Sequence, residues 1–187
     1  MAHFYDDETG LPSWELFEDR LEHALVRASR SSQALAVALM RAECINDAGV
    51  VTPDPAGWRA GIAQRLRLIV RTGDTVAAAP DDLFALLMED VSSSLGASVG
   101  VERTLADIAD LELDGTILRV EFHAGVSVSG PPHRRATELL LESEVALLRS
   151  MKRPGTDFAL YDAAVDRATL EELETQFERS WGLARTA

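Results

Sequence analysis

The stretch of residues 34–40 (ALAVALM) is the longest uninterrupted apolar run in the chain. A helix needs about 20 apolar residues to span a bilayer, so this run is far too short. It reads instead as a strand buried inside a sheet. Four helical stripes accompany it. Trp14, Phe17, Leu21 and Leu25 recur at helical spacing over residues 13–29, with Ser13 placed to cap the start after Pro12. Trp58, Ile62, Leu66 and Ile69 form a second stripe, Val101, Leu105 and Ile108 a third, and residues 136–149 a fourth. Further strands fall between them. Residues 75–79 and 84–89 are short apolar runs joined by Pro80-Asp81-Asp82-Leu83, which is turn chemistry and predicts a β-hairpin. Residues 116–127 form a long strand with alternation at Ile117, Arg119 and Glu121, stopped by Gly130-Pro131-Pro132, and residues 158–161 a last short one. Residues 48–57, with two prolines and two glycines, read as a loop. Alternating helices and strands around one sheet predict an α/β or α+β domain.

The chain has 187 residues, enough for one domain with a full core, and a formal net charge of -13. That sign opposes nucleic acid and anionic membrane surfaces, both of which need basic residues. A local arginine cluster can still bind phosphate, and every basic residue except Lys152 is arginine. Cys44 is the only cysteine, so no intrachain disulfide forms. The opening MAHFYDDETG lacks the basic and apolar regions of a signal peptide. Cytoplasmic residence is the expectation. His3, His23, His123 and His133 have no metal-ligand spacing, and no metal or cofactor site is expected from them.

Several segments together resemble the GGDEF (diguanylate cyclase) family. Residues 6–13 (DDETGLPS) are similar to its DxLTGLxN opening, and Ile45-Asn46-Asp47 to the end of its DxDxFKxIND segment. Residues 65–76 (RLRLIVRTGDTV) look like the helix and turn leading to the signature loop, and residues 84–90 (FALLMED) like the strand after it. Gly125-Val126 fits the SxG strand, residues 146–148 the ALY helix, and Leu160-Tyr161-Asp162 the usual domain end. The resemblance implies a nucleotidyl-cyclase palm-type fold, a central sheet of roughly five strands flanked by helices. It implies a GGDEF domain over residues 1–162, with residues 163–187 as a C-terminal helical tail. Thr169 and Glu172 form a capping-box signature in that tail, and Leu170, Leu173, Phe177 and Trp181 an apolar stripe.

The departures from the family pattern are concentrated where its chemistry lies. The signature loop aligns with Pro80, Asp81, Asp82, Leu83 and Phe84. The family's glycines let the backbone approach a triphosphate without a Cβ in the way. Pro80 removes an N–H donor and adds a ring, and Asp81 puts a negative charge there. Asp82 keeps one carboxylate of the family's metal pair, and Leu83 replaces its glutamate. Counting back from Asn46 puts the other two acidic positions at Ala38 and Met40, neither of which can bind Mg²⁺, a cation that needs hard oxygen ligands. Asn46 matches a guanine-contacting residue whose acidic partner falls near Ala56 or Trp58, with Asp54 out of register. The family's phosphate-binding lysine aligns with Met151, one position from Lys152. These losses imply a degenerate, catalytically inactive signalling module of bacterial type, with residual GTP binding or cyclase activity as the disfavoured alternative.

One element of the family survives in register. Arg71-Thr72-Gly73-Asp74 matches the RxxD motif with which many members bind cyclic di-GMP, at the family's spacing from the loop. An arginine fork can grip phosphate or the guanine Hoogsteen edge, and an aspartate can accept from guanine N1 and N2. Arg103 on the following helix and Arg67 could add further guanidinium groups. The same four residues also read as an ordinary turn, with Arg71 at a helix C-terminus and Asp74 fixing the bend. A cyclic di-GMP receptor is therefore one reading. The other is a scaffold that binds a protein and no nucleotide. Residues 161–167 (YDAAVDR) are similar to the linker helix of tandem GGDEF–EAL proteins, so the chain reads as a stand-alone descendant or a piece of such a tandem. Expected partners are cyclic di-GMP, a protein such as an EAL-type phosphodiesterase, or a second copy of the chain through the tail.

Overall fold

The computed structural model describes residues 4–31, 33–45, 57–108, 110–113, 115–130 and 135–184. The elements run α1 (Trp14–Ser31), β1 (Ala34–Ile45), α2 (Trp58–Ile69), β2 (Thr75–Ala78), β3 (Phe84–Val91), α3 (Ser94–Ala106), β4 (Asp110–Leu113), β5 (Thr116–Val128), α4 (Ala136–Ser150), β6 (Asp157–Leu160) and α5 (Ala163–Ala184). The sheet has six strands rather than roughly five. Five follow the order β2-β3-β1-β5-β4, and β6 adds in parallel to β5. The extra strand is β4, a four-residue edge piece, too short for a periodicity signal, which pairs with the first residues of β5. No described helix is long and apolar enough to cross a membrane.

β1 sits at the centre and both its faces are buried. Ala36, Ala38, Met40, Ala42 and Cys44 pack under α2 and α3, whose Trp58, Ile62, Leu66, Ala97, Val101 and Leu105 join the same cluster. Leu35, Val37 and Leu39 face the other way, against Phe17 and Leu21 of α1 and Leu139 and Leu147 of α4. This is why the run is apolar without alternation: a strand covered on both faces has no solvent side. The expected helix start at Ser13 is present, its hydroxyl accepting the Leu16 N–H at 3.4 Å.

α4 lies unusually close to the sheet. A Cβ on Gly125 would fall 2.0 Å from both the Leu147 nitrogen and the Ser143 carbonyl oxygen. Hydroxyl groups stitch the same contact. Ser127 Oγ donates to the Leu139 carbonyl at 2.8 Å, and Ser143 Oγ lies 3.0 Å from it and 3.2 Å from the Val37 carbonyl. The tail helix begins earlier than the Thr169–Glu172 signature indicates. Asp162 Oδ1 accepts the Ala164 N–H at 2.9 Å, so the cap lies there and Thr169 is mid-helix. Asp166, 3% exposed, anchors α5 by accepting from Arg149 Nη2 at 3.1 Å and the Asp162 N–H at 2.9 Å. Arg149 also donates to the Leu160 carbonyl. The side chains of Phe177 and Trp181, on which the apolar stripe rests, lie outside the described residues.

Two outcomes follow for stability. Gly125→Ala should lower the unfolding free energy in urea by about 3 kcal/mol, because the atoms in its way are backbone and cannot rotate aside. Arg149→Met should cost about 3 kcal/mol by the same measurement, since it strands a buried carboxylate.

Candidate functional site

The α2–β2 turn and the end of β3 build the first site. α2 ends at Ile69, and the chain turns through Arg71-Thr72-Gly73-Asp74 into β2, with the Asp74 N–H donating to the Arg71 carbonyl at 3.1 Å. Gly73 has φ 102°, a conformation that side-chain-bearing residues rarely adopt, which explains the glycine. Arg71 Nε contacts both Asp74 carboxylate oxygens, at 3.0 and 2.9 Å, and its Nη2 donates to the Glu89 carbonyl on β3. Asp74 also accepts the Glu89 N–H at 3.2 Å. The Asp74 side chain is 8% exposed, and Arg71 is half-exposed. Burial pushes the Asp74 carboxyl above its ordinary range, and the Arg71 hydrogen bond and charge offset part of that shift.

Arg71 and Asp74 open into a cavity of about 220 Å³ whose far wall is α3, with Val99, Gly100 and Arg103. Arg103 is exposed, and its side chain makes no hydrogen bond or ion pair among the described residues. The expected arginine trio is split. Arg67 lies across the turn in a neighbouring hollow with Arg20 and Leu11, where it donates to the Gly10 carbonyl.

The signature-loop residues form the second candidate site. Asp81 and Asp82 have φ 56° and 61°, and the Leu83 N–H donates to the Pro80 carbonyl at 3.2 Å, the hydrogen bond and paired positive φ values of a type I′ hairpin turn. Leu83 packs against the α1–α4 core, and Phe84 is fully buried opposite Met40 on β1. Ala38 and Met40, assigned to the family's acidic positions by counting, point into the sealed core under α2 and α3. The β1 residue that reaches the loop is Arg41, on the opposite face, whose Nη2 donates to the Asp81 carbonyl at 3.4 Å. Asn46, Asp54 and Ala56 lie outside the described residues. Trp58 is 5% exposed and belongs to the core.

Sequence reasoning also missed Arg59. It sits on α2, 9% exposed, with its guanidinium 5.2 Å from the centroid of the Phe84 ring. Its Nη1 is 3.0 Å from Asp82 Oδ1 and its Nε 3.2 Å from Glu8 Oε2. Glu8 belongs to the turn that opens the domain. There, Asp6 Oδ1 accepts from the Thr9 N–H at 2.8 Å and hydroxyl at 2.6 Å. Burial alone would raise the Asp6 carboxyl; those bonds and the Arg59 charge outweigh it and hold Asp6 below its usual range. Arg59 lies on the buried face of α2 with Ile62, Ala63 and Leu66, and a charged side chain there adds nothing to an apolar periodicity.

No family model matches the chain. The chain is 23% identical over 190 residues to the bifunctional diguanylate cyclase/cyclic di-GMP phosphodiesterase MucR of Pseudomonas aeruginosa, an alignment covering 97% of this chain and 27% of MucR. It is 27% identical over 181 residues to the diguanylate cyclase TpbB of the same species, covering 92% of this chain and 40% of TpbB. It thus spans well under half the length of either relative. The solved GGDEF domain of TpbB superposes with a TM-score of 0.74 at 27% identity, over 89% of this chain and 99% of that domain. The GGDEF domain of DgcB from Caulobacter crescentus, solved in complex with cyclic di-GMP, shares the fold at a TM-score of 0.68 and 14% identity, over 87% and 97% of the two chains. The fold is α+β and is that of solved GGDEF domains, and the curated relatives it resembles are proteins of cyclic di-GMP signalling. The expectation that the chain is not an enzyme is corrected by the same finding: both curated relatives carry diguanylate cyclase names, so the family context is enzymatic. That expectation rested on residues counted onto a loop and strand, and substitutions of that kind do not by themselves show that activity is lost.

The geometry of the turn changes what Arg71 can report. Because Arg71 holds Asp74 and the Glu89 carbonyl, Arg71→Ala should lower stability by about 1 kcal/mol whether or not a ligand binds there. Arg103→Ala should stay within about 0.5 kcal/mol of wild type. Urea titration of both variants checks this pair of outcomes.

Proposed function

We propose that this chain is a GGDEF module of cyclic di-GMP signalling that binds cyclic di-GMP through Arg71, Asp74 and Arg103. The observation that carries this reading is the convergence of the three side chains on one cavity, two from the α2–β2 turn and one from α3. The ligand is an anion with two phosphates and two guanines, and the cavity offers a matching set of groups. Arg103, without a partner among the described residues, supplies a guanidinium that need not break an existing bond. Arg71 spends Nε on Asp74 and Nη2 on the Glu89 carbonyl, and its Nη1 has no partner among the described residues. Asp74 already accepts from Arg71 and Glu89, but a carboxylate has about four lone-pair sites and can also take a guanine N–H. The lining sets Arg71 and Arg103 beside Asp74 and Asp90, guanidiniums for the ligand's phosphates and carboxylates for its guanine N–H groups. The cyclic di-GMP complex of DgcB supports the same ligand class on this fold.

Arg103→Ala is the clean probe, since its loss leaves the turn intact. Calorimetry with cyclic di-GMP should show binding to the wild type and weakening of about tenfold or more in Arg103→Ala, about 1.4 kcal/mol, with an unchanged melting temperature. Flat calorimetry on the wild type would overturn the reading in favour of a protein-binding scaffold.

A further inference from the structure

A different observation concerns the loop at residues 80–84. The resemblance to the GGDEF family implies a divalent cation at Asp82, held by several oxygen ligands. Mg²⁺ asks for six oxygens in near-octahedral arrangement. The residues around Asp82 do not fit that demand. Its Oδ1 lies 3.0 Å from Arg59 Nη1. On the strand side, Ala38 and Met40 offer no oxygen, and Arg41 donates to the Asp81 carbonyl. Among the described residues no three His, Cys, Asp or Glu side chains gather to hold a metal.

We propose that Arg59 is the resident counter-ion of this loop, standing where a divalent cation would otherwise neutralise Asp82, so that the hairpin tip and the domain's opening turn are joined without metal. Three features of Arg59 carry this. It is 9% exposed, so its charge needs compensation close at hand. Its guanidinium lies over Phe84, the residue that follows the tip, and holds both carboxylates as ion pairs rather than through aligned hydrogen bonds from Nε and Nη1. Those carboxylates come from separate segments, Glu8 from the opening turn at 3.2 Å and Asp82 from the tip. Both are largely exposed, at 53% and 81%, so they have water as an alternative and Arg59 does not. A cation arriving at Asp82 would have to displace the guanidinium, leaving a buried positive charge beside a dication. The geometry therefore favours the arginine over the metal at this position. It also explains how Asp81 and Asp82 are kept in left-handed backbone conformations that non-glycine residues seldom adopt.

Mn²⁺ is the probe, read by the loss of its free electron paramagnetic resonance signal on titration with full-length protein. Wild type and Asp82→Asn should give superimposable titrations at millimolar Mn²⁺. Metal uptake by wild type that Asp82→Asn abolishes would overturn the proposal. Amide exchange tests the joining role without metal. Arg59→Met keeps the apolar stem over Phe84 and removes the charge, and Asp82→Asn removes only the partner. Both should speed exchange at residues 81–84 by about tenfold, with β1 and β5 unchanged. Unchanged exchange at the tip in both variants would equally overturn the proposal.

Discussion

The close approach of α4 to β5 is the contact on which the rest of the structure depends. Gly125 lets the helix backbone sit where a methyl group would otherwise be, and the Ser127 and Ser143 hydroxyls satisfy polar groups trapped beneath it. With α4 that low, Leu139 and Leu147 reach Val37 and Leu39, and the central strand gains cover on its second face. Only then is an apolar run such as residues 34–40 stable in the middle of a sheet, because each of its side chains finds a dry neighbour. The seat of α4 also sets the position of Arg149, and through the buried pair with Asp166 the start of α5. One missing Cβ therefore propagates from the sheet to the tail helix.

The element pattern was legible from periodicity because each helix and strand buries a regular stripe. The hairpin at residues 80–83 was equally legible, since proline and consecutive aspartates favour a turn before any tertiary contact forms. What escaped was local and polar. β4 has too few residues for a period. The start of α5 is set by Asp162 and by a buried ion pair, while Thr169 and Glu172 offered a competing cap that tertiary contacts did not use. Ala38 and Met40 lie on the face of β1 that packs under α2, the side from which Arg59 reaches Asp82, and neither carries an oxygen ligand. Arg41, on the opposite face, reaches the Asp81 carbonyl, a contact between strand and loop that no spacing rule indicates.

The two arginine sites differ in how they could have been found. Arg71 and Asp74 are adjacent in sequence, so a spacing argument reaches them, and the structure adds that they are bonded to each other and to β3. Arg103 joins them only because α3 packs across the end of the hairpin, a long-range fact that spacing could only suggest. Arg59, Glu8 and Asp82 come from three segments far apart in the chain, and none has a local signature. Such a triad is visible only once the opening turn, α2 and the hairpin tip have been brought together.

Both sites manage charge by the same rule, with opposite consequences. At each, an arginine is paired with a carboxylate, and exposure decides which partner is free to exchange. At Asp74 the carboxylate is the buried member and the arginine is half-exposed. Arg71 is therefore the member with access to solvent, while Asp74 is held from the other side by the Glu89 N–H. At Asp82 the order is reversed: the arginine is buried and the carboxylate lies in water. There the guanidinium cannot leave without stranding its charge, so the pair acts as a fixed joint rather than an exchangeable one. The same two residue types thus pair with opposite burial at the two ends of the β2–β3 hairpin.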